Sequence, residues 1–201
     1  MSAPNIIERR IFLSVPVDDI TYTETLEWIE QKILINEFCQ ICTVNPEFVI
    51  AAQNQSRFLS VLQRASLCLP DGQGLLWASR LHGVPLRERV AGSTLVDLIA
   101  KRAASKGWRL FFLGAAPGVA ELAADTLRSK YHGLAKIHTM EASPSIEDAP
   151  SIIQNVRNIK PDILLVAFGA PAQDLWIDRY LLRLGTPITI AGFSTIGSLY
   201  N

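Results

Sequence analysis

Asp71, in Pro70-Asp71-Gly72-x-Gly74, follows a short apolar run and stands among glycines that let another molecule approach the backbone closely. A carboxylate so placed can act as a general base, or it can cap the helix read over Gln73 to Leu81. Arg89 lies in the loop from Leu86 to Gly92, between two helical segments, and Gly92-Ser93-Thr94 follows it. A guanidinium fork beside such a turn suits a diphosphate or a developing oxyanion. Its neighbour Arg87 reads as a solvated surface charge. Thr43 and Asn45 precede Pro46, which holds Asn45 out of helical geometry; both side chains can face a cleft, or Asn45 can simply cap the helix that follows. In Gly114-Ala115-Ala116-Pro117-Gly118, after the apolar run WRLFFL, Pro117 is read near the first turn of a helix. Free backbone N–H groups and the helix dipole there suit a phosphate or a nucleotide, although glycine at a strand-to-helix turn is as often a steric requirement.

These motifs need strands that end beside one another. The chain reads as a strand over Arg10 to Val17, then Thr21-Tyr22-Thr23-Glu24 as a capping box that opens an amphipathic helix to about Asn36. A strand from Gln40 to Val44, helices from Pro46 and Ser56, and the apolar segment Leu67 to Leu69 follow. Beyond them strands (Arg109 to Leu113, Lys136 to Thr139, Asp162 to Phe168, Ile188 to Ala191) alternate with helices (Pro117 to about Tyr131, about Ser145 to Asn158, and up to Leu184). Such alternation marks an α/β fold, a mostly parallel sheet with helices on both faces. Ligands of such sheets sit at the carboxyl ends of the strands. The motifs at Thr43, Pro70, Gly114 and Gly169-Ala170-Pro171-Ala172-Gln173 all fall at strand ends.

The chain has 201 residues, enough for one domain or two closely fused lobes, here about 1–106 and about 107–191. No stretch approaches the roughly 20 apolar residues of a membrane span, and the start MSAPNIIERR lacks the order of a secretory signal. A cytoplasmic protein is expected. Nineteen basic residues balance nineteen acidic ones and are scattered, so nucleic acid is not an expected partner. Cys39-x-x-Cys42 reads as structural, because residues three apart on a strand face opposite sides and no second pair completes a metal site. The Gly114 turn is not G-x-G-x-x-G, and no acidic residue ends the next strand in a ribose-binding context, which disfavours a nicotinamide oxidoreductase.

Taken together, Thr43-x-Asn45-Pro46-Glu47, Pro70-Asp71-Gly72-x-Gly74 with Trp77, Glu88-Arg89-x-x-Gly92, Phe112-Leu113-Gly114 with Pro117-Gly118-Val119, and Gly169-x-Pro171-x-Gln173 with Trp176 resemble the WecG/TagA/CpsF glycosyltransferases in order and spacing, over roughly residues 10 to 191. The resemblance implies a Rossmann-like fold and inverting transfer of a hexose (N-acetylmannosamine, its uronic acid or glucose) from a UDP-sugar to a polyprenyl-diphosphate-linked sugar. That reaction serves cell-surface polysaccharide or teichoic acid synthesis. It further implies that Asp71 is the catalytic base and that Thr43, Asn45, Arg89 and Gln173 have pocket roles. Gly72, Gly114, Pro117, Gly118, Gly169 and Pro171 join the expected substrate-binding set, and Arg89 the catalytic one. Inversion needs one carboxylate to take the acceptor proton and a cationic or dipolar site for the departing diphosphate. No Asp-x-Asp occurs, so metal-independent catalysis without a cofactor is expected. Family members continue past the last strand into a basic tail, whereas here the sequence reads GFSTIGSLYN to Asn201. A full-length form is expected to touch the inner face of the membrane and to self-associate, and this chain to be monomeric or weakly associated and poorly held there. A homologue that binds UDP-sugar with little turnover is the competing expectation.

Overall fold

A computed structural model describes residues 7–134 and 136–192. The chain opens with β1 (Glu8–Phe12) and β2 (Val15–Asp19), followed by α1 (Tyr22–Leu34), β3 (Cys39–Val44), α2 (Pro46–Asn54), α3 (Ser56–Arg64), β4 (Leu67–Pro70), α4 (Gln73–Leu81) and α5 (Gly92–Lys106). Then come β5 (Leu110–Gly114), α6 (Val119–Lys130), β6 (Ile137–Met140), α7 (Ala149–Ile159), β7 (Ile163–Ala167), α8 (Ala172–Leu184) and β8 (Ile188–Ala191). Six strands form one sheet in the order β4-β3-β8-β7-β5-β6, every pairing parallel. This is the Rossmann-like α/β architecture expected from the alternation. Because β8 lies between β3 and β7, the last strand among the described residues joins the first half of the sheet to the second.

Strand alternation sorts the core into two sides. Ile41, Leu69, Leu110, Phe112, Leu165 and Ile190 face α1, α5 and α6, packing on Ile29, Leu95, Ile99 and Ala123. Cys42, Val44 and Cys68 face the other way, onto α2, α3 and α4 through Phe48, Phe58, Leu62 and Leu75. Phe111, Leu113, Leu164 and Val166 face α7 and α8 on that same side. Cys39 and Cys42 therefore point into opposite cores, as free buried thiols. Burial pushes the Cys42 thiol well up and the Cys68 thiol up to about 12.

Three expected boundaries differ. The single strand read over Arg10 to Val17 is a hairpin, turning at Leu13 and Ser14, both in left-handed backbone. The turn lacks the Asn-Gly or Gly signal that such geometry favours, so the two strands read as one. The sixth helix starts at Val119, with Gly118 in left-handed conformation as its cap, so Pro117 precedes the helix. The seventh starts at Ala149 because Asp148 folds residues 143–148 into a turn, accepting from the Ser143 backbone and hydroxyl. The capping box is formed: Glu24 donates its backbone N–H to the Thr21 hydroxyl, and its carboxylate accepts from Thr21 N. No helix of the described residues is long and apolar enough to cross a membrane. The expected departure after Gly192 lies outside the described residues.

Candidate active site

The carboxyl ends of β3, β4 and β8 meet the start of α5. Asn45, Pro46, Glu47, Asp71, Gly72, Arg89, Ala91 and Ser93 line an open cleft there of about 410 Å³. Four of the residues singled out in the sequence, Asn45, Asp71, Gly72 and Arg89, thus share one cleft.

Local hydrogen bonding fixes each of them. Asn45 is extended and caps α2, its Oδ1 accepting from Phe48 N at 2.9 Å, so the capping assignment holds while the residue also faces the cleft. Asp71 continues β4 by donating its N–H to the Val44 carbonyl at 2.8 Å. Its side chain does not cap α4, whose cap position is Gly72 with no side-chain bond. Instead Oδ2 accepts from Gly92 N, the first residue of α5, at 3.1 Å, and Oδ1 lies 3.4 Å from an Arg89 nitrogen. The carboxylate therefore sits against the positive end of a fifteen-residue helix. Gly92 packs closely but without strain: a Cβ on it would stand in ordinary contact, 3.4 Å from Thr43 Cγ2 and 3.6 Å from Asp71 Oδ2.

The loop before α5 is pinned from several directions. Val90 N donates to the Pro70 carbonyl at 2.8 Å, and Ala91 N donates to the Tyr22 hydroxyl at 2.7 Å. Glu88 accepts from Tyr22 N, the first residue of α1. Arg87, read from the sequence as a solvated charge, is instead a cross-brace: its guanidinium bonds the Asp19 carboxylate and carbonyl and both Glu24 oxygens, and its N–H reaches Asp19 Oδ1. Hydrogen bonds from Arg87, and then from Thr21, outweigh burial and bring the Glu24 carboxyl down to about 2. With 87, 88, 90 and 91 engaged, Arg89 is left half exposed at the cleft with, among the described residues, one long polar contact, to Asp71. Tyr22 carried no sequence signal; its role arises only because α1 begins beside α5.

The remaining expected residues lie elsewhere. Thr43 is buried behind the cleft, its hydroxyl donating to the Ala191 carbonyl at 3.3 Å, and a Cβ on Gly192 would collide with it. Gly114, Pro117, Gly118, Gly169, Pro171 and Gln173 do not line the cleft; they follow the carboxyl ends of β5 and β7. Gly114 meets the steric requirement, since a Cβ would come within 2.7 Å of the Phe168 ring. The N–H of Gly118, expected to be free for an anion, donates to Glu141 Oε1 at 2.7 Å, because Glu141 follows β6 directly beside it. Gln173 is buried and its Oε1 accepts from Gly169 N at 3.1 Å, while Ala170-Pro171 is cis. Among the described residues no three His, Cys, Asp or Glu side chains gather as metal ligands.

A carboxylate aimed into a strand-end cleft beside a loosely held guanidinium can accept a proton on one side and meet anionic charge on the other. An enzyme of Bacillus spizizenii named N-acetylglucosaminyldiphosphoundecaprenol N-acetyl-beta-D-mannosaminyltransferase is 31% identical over 145 residues, 72% of this chain and 56% of the relative. One of the same name from Staphylococcus aureus is 32% identical over 168 residues, 82% of this chain and 65% of the relative. The chain thus spans a little over half to about two thirds of these relatives' length. The sequence profile of the glycosyl transferase WecG/TagA/CpsF family matches residues 10–196, and the chain belongs to that family.

Proposed function

We propose that this chain is the α/β core of an inverting glycosyltransferase that moves a hexose from a UDP-sugar to a polyprenyl-diphosphate-linked sugar. N-acetylmannosamine is the first donor sugar to test and N-acetylglucosaminyl diphosphoprenol the first acceptor, by the names of the relatives. The observation that carries the reading is the placement of the Asp71 carboxylate in the cleft, on the first N–H of α5 and beside Arg89. In the reaction the acceptor hydroxyl oxygen bonds to the anomeric carbon as its proton passes to Asp71. The bond from that carbon to the diphosphate breaks, and the electron pair leaves with UDP. Arg89 swings from Asp71 to the departing phosphates, where its fork and the backbone donors at the start of α5 meet the growing charge. Asn45 and Gly72 shape the wall that the donor faces.

The experiment is product analysis with a panel of UDP-sugars and a short-chain polyprenyl-diphosphate acceptor, comparing wild type with Asp71→Asn in a chain of the relatives' length. Asn keeps an oxygen for the Gly92 N–H, so folding should survive, while loss of a general base lowers transfer by about 10²- to 10⁴-fold. Retention of more than about a tenth of the rate, well above that loss, would place the proton acceptor elsewhere. UDP should also raise the melting temperature in the presence of chelator. Protection by UDP with no product from any donor would leave a binding protein in place of an enzyme.

A further inference from the structure

A second depression, of about 400 Å³ and mostly apolar, with His82 among its lining residues, lies between the tip of the β1–β2 hairpin and helices α2 and α4. Ile11, Leu13, Val49, Ile50, Leu75 and Ala78 form its walls. Three of them are far more exposed than their side chains favour: Ile11 at 64%, Leu13 at 67% and Ile50 at 65%. Open apolar surface of this kind marks a place where something apolar binds.

The groove is not isolated. Pro46 lines both it and the Asp71 cleft, and so forms a ridge between them. Two glycines let that ridge sit where it does. A Cβ at Gly72, on the cleft side, would lie 2.8 Å from Pro46 Cδ, and one at Gly74, on the groove side, 2.9 Å from Pro46 Cγ. The spacing Gly72-x-Gly74 thus brings α4 hard against the ridge and joins polar cleft to apolar groove over a single ring. Trp77 and Leu81, both exposed, lie one helical turn on from Gly74 and from Ala78, beside the groove.

We propose that this groove receives the first prenyl units of the lipid-linked acceptor while its sugar enters the cleft at Asp71. The inference rests on the acceptor class proposed above. A molecule that carries a sugar and a diphosphate at one end and a hydrocarbon chain at the other needs a charged pocket and an apolar track in continuity. The Pro46 ridge joins such a pair: Arg89 lies on the polar side, while Ile11, Leu13 and Ile50 line the other. A protein helix or a flat bilayer would need an apolar face, but neither needs that face to border the Asp71 cleft across a shared residue.

The test compares two acceptors with the same headgroup, N-acetylglucosaminyl diphosphate esterified with farnesyl or with methyl, on wild type and on the exposed-site variants Ile11→Glu and Ile50→Glu. Wild type should prefer the farnesyl compound by about tenfold or more in kcat/KM, the scale set by burying a few methylenes. The variants should lose most of that preference while using the methyl compound as wild type does. A preference that survives in both variants overturns the proposal. So does an effect confined to binding of phosphatidylcholine vesicles with chain-length preference intact, which would make the face a bilayer contact. Direct calorimetry with farnesyl diphosphate against methyl diphosphate separates this idea from the proposed activity. Chain-dependent binding abolished by Ile50→Glu in a protein that transfers nothing would sustain the groove and refute the transferase, whereas chain-independent binding would refute the groove.

Discussion

Asp174 offers a quantitative test of how this fold handles charge. It stands in the first turn of α8, fully buried beneath β3, and neither carboxylate oxygen has a partner of good hydrogen-bond geometry among the described residues, although the Cys42 thiol lies close enough to act on it. The titratable groups against it are the Cys42 thiol of β3 and, further off, Cys68 of β4, both kept protonated by burial. Burial raises the Asp174 carboxyl from 3.8 to about 7, with a smaller opposing effect from the Cys42 thiol. Between about pH 4 and about pH 7 the native protein therefore holds a proton that the unfolded chain has released, so stability falls as pH rises through that window and levels off above it. At about 1.4 kcal/mol per pH unit the full loss is about 4 kcal/mol, of which about 3 falls between pH 5 and pH 8. Asp174→Asn removes the titration and leaves amide donors to be buried without partners, a cost of about 1–3 kcal/mol that is the same at both pH values. Urea unfolding of wild type and variant at pH 5 and pH 8 isolates the carboxyl, because the amide cost cancels in the difference. The variant should gain on wild type by about 3 kcal/mol between the two pH values. Parallel pH profiles would refute the argument, since they would mean that Asp174 is already ionised at pH 5 or has found a partner.

Two further perturbations probe what holds the site. Arg87→Ala should cost only about 1–2 kcal/mol of stability, because the guanidinium is half exposed and screened, yet lower kcat/KM by about 10- to 100-fold through a displaced Arg89 loop; equal activity at equal Tm would show that Tyr22 and Glu88 suffice. Gly74→Ala would add about 1 kcal/mol if helix propensity decided, but the clash with Pro46 should reverse the sign to a loss of about 1–3 kcal/mol. A rise in Tm would show that the Pro46 ridge yields.

The sheet was legible because parallel strands covered on both faces read as apolar runs, and CQICTV, LFFL, ILLVA and ITIA all do. Helix starts were legible where a side chain or a proline performs the cap, at Thr21 and Asn45-Pro46. Two of the three displaced boundaries fall where the backbone alone sets the turn, and the third where the Asp148 side chain holds a turn instead of opening the helix at Ser145. Leu13 and Ser14 turn a hairpin without glycine, and Gly118 ends a left-handed lead into α6 that displaces Pro117 from the helix. Local chemistry of that kind leaves little trace in residue type, because several residues can be driven into left-handed backbone when tertiary contacts hold the flanks.

The candidate site divides along a different line, between what a residue can do and what it is asked to do. Asp71 could be picked out because a capable carboxylate follows a strand end, and Arg89 because a guanidinium stands in a loop beside a Gly-Ser-Thr turn. The direction of the Asp71 carboxylate, toward α5 and away from α4, depends on Gly92, a residue that reaches it only because Val90 continues the β4 edge through Pro70. Arg87 and Arg89 look alike in sequence and part company entirely in space: Asp19 and Glu24, some sixty residues upstream, capture the first and leave the second to the cleft. Asp174 shows the same limit from the other side, since an acid in the first turn of a helix reads as a favourable dipole contact until the helix phase buries it against Cys42. Residue type sets the menu of chemistry, and long-range contacts, formed by other residues for reasons of packing, decide which member of a like-charged pair remains free to use it.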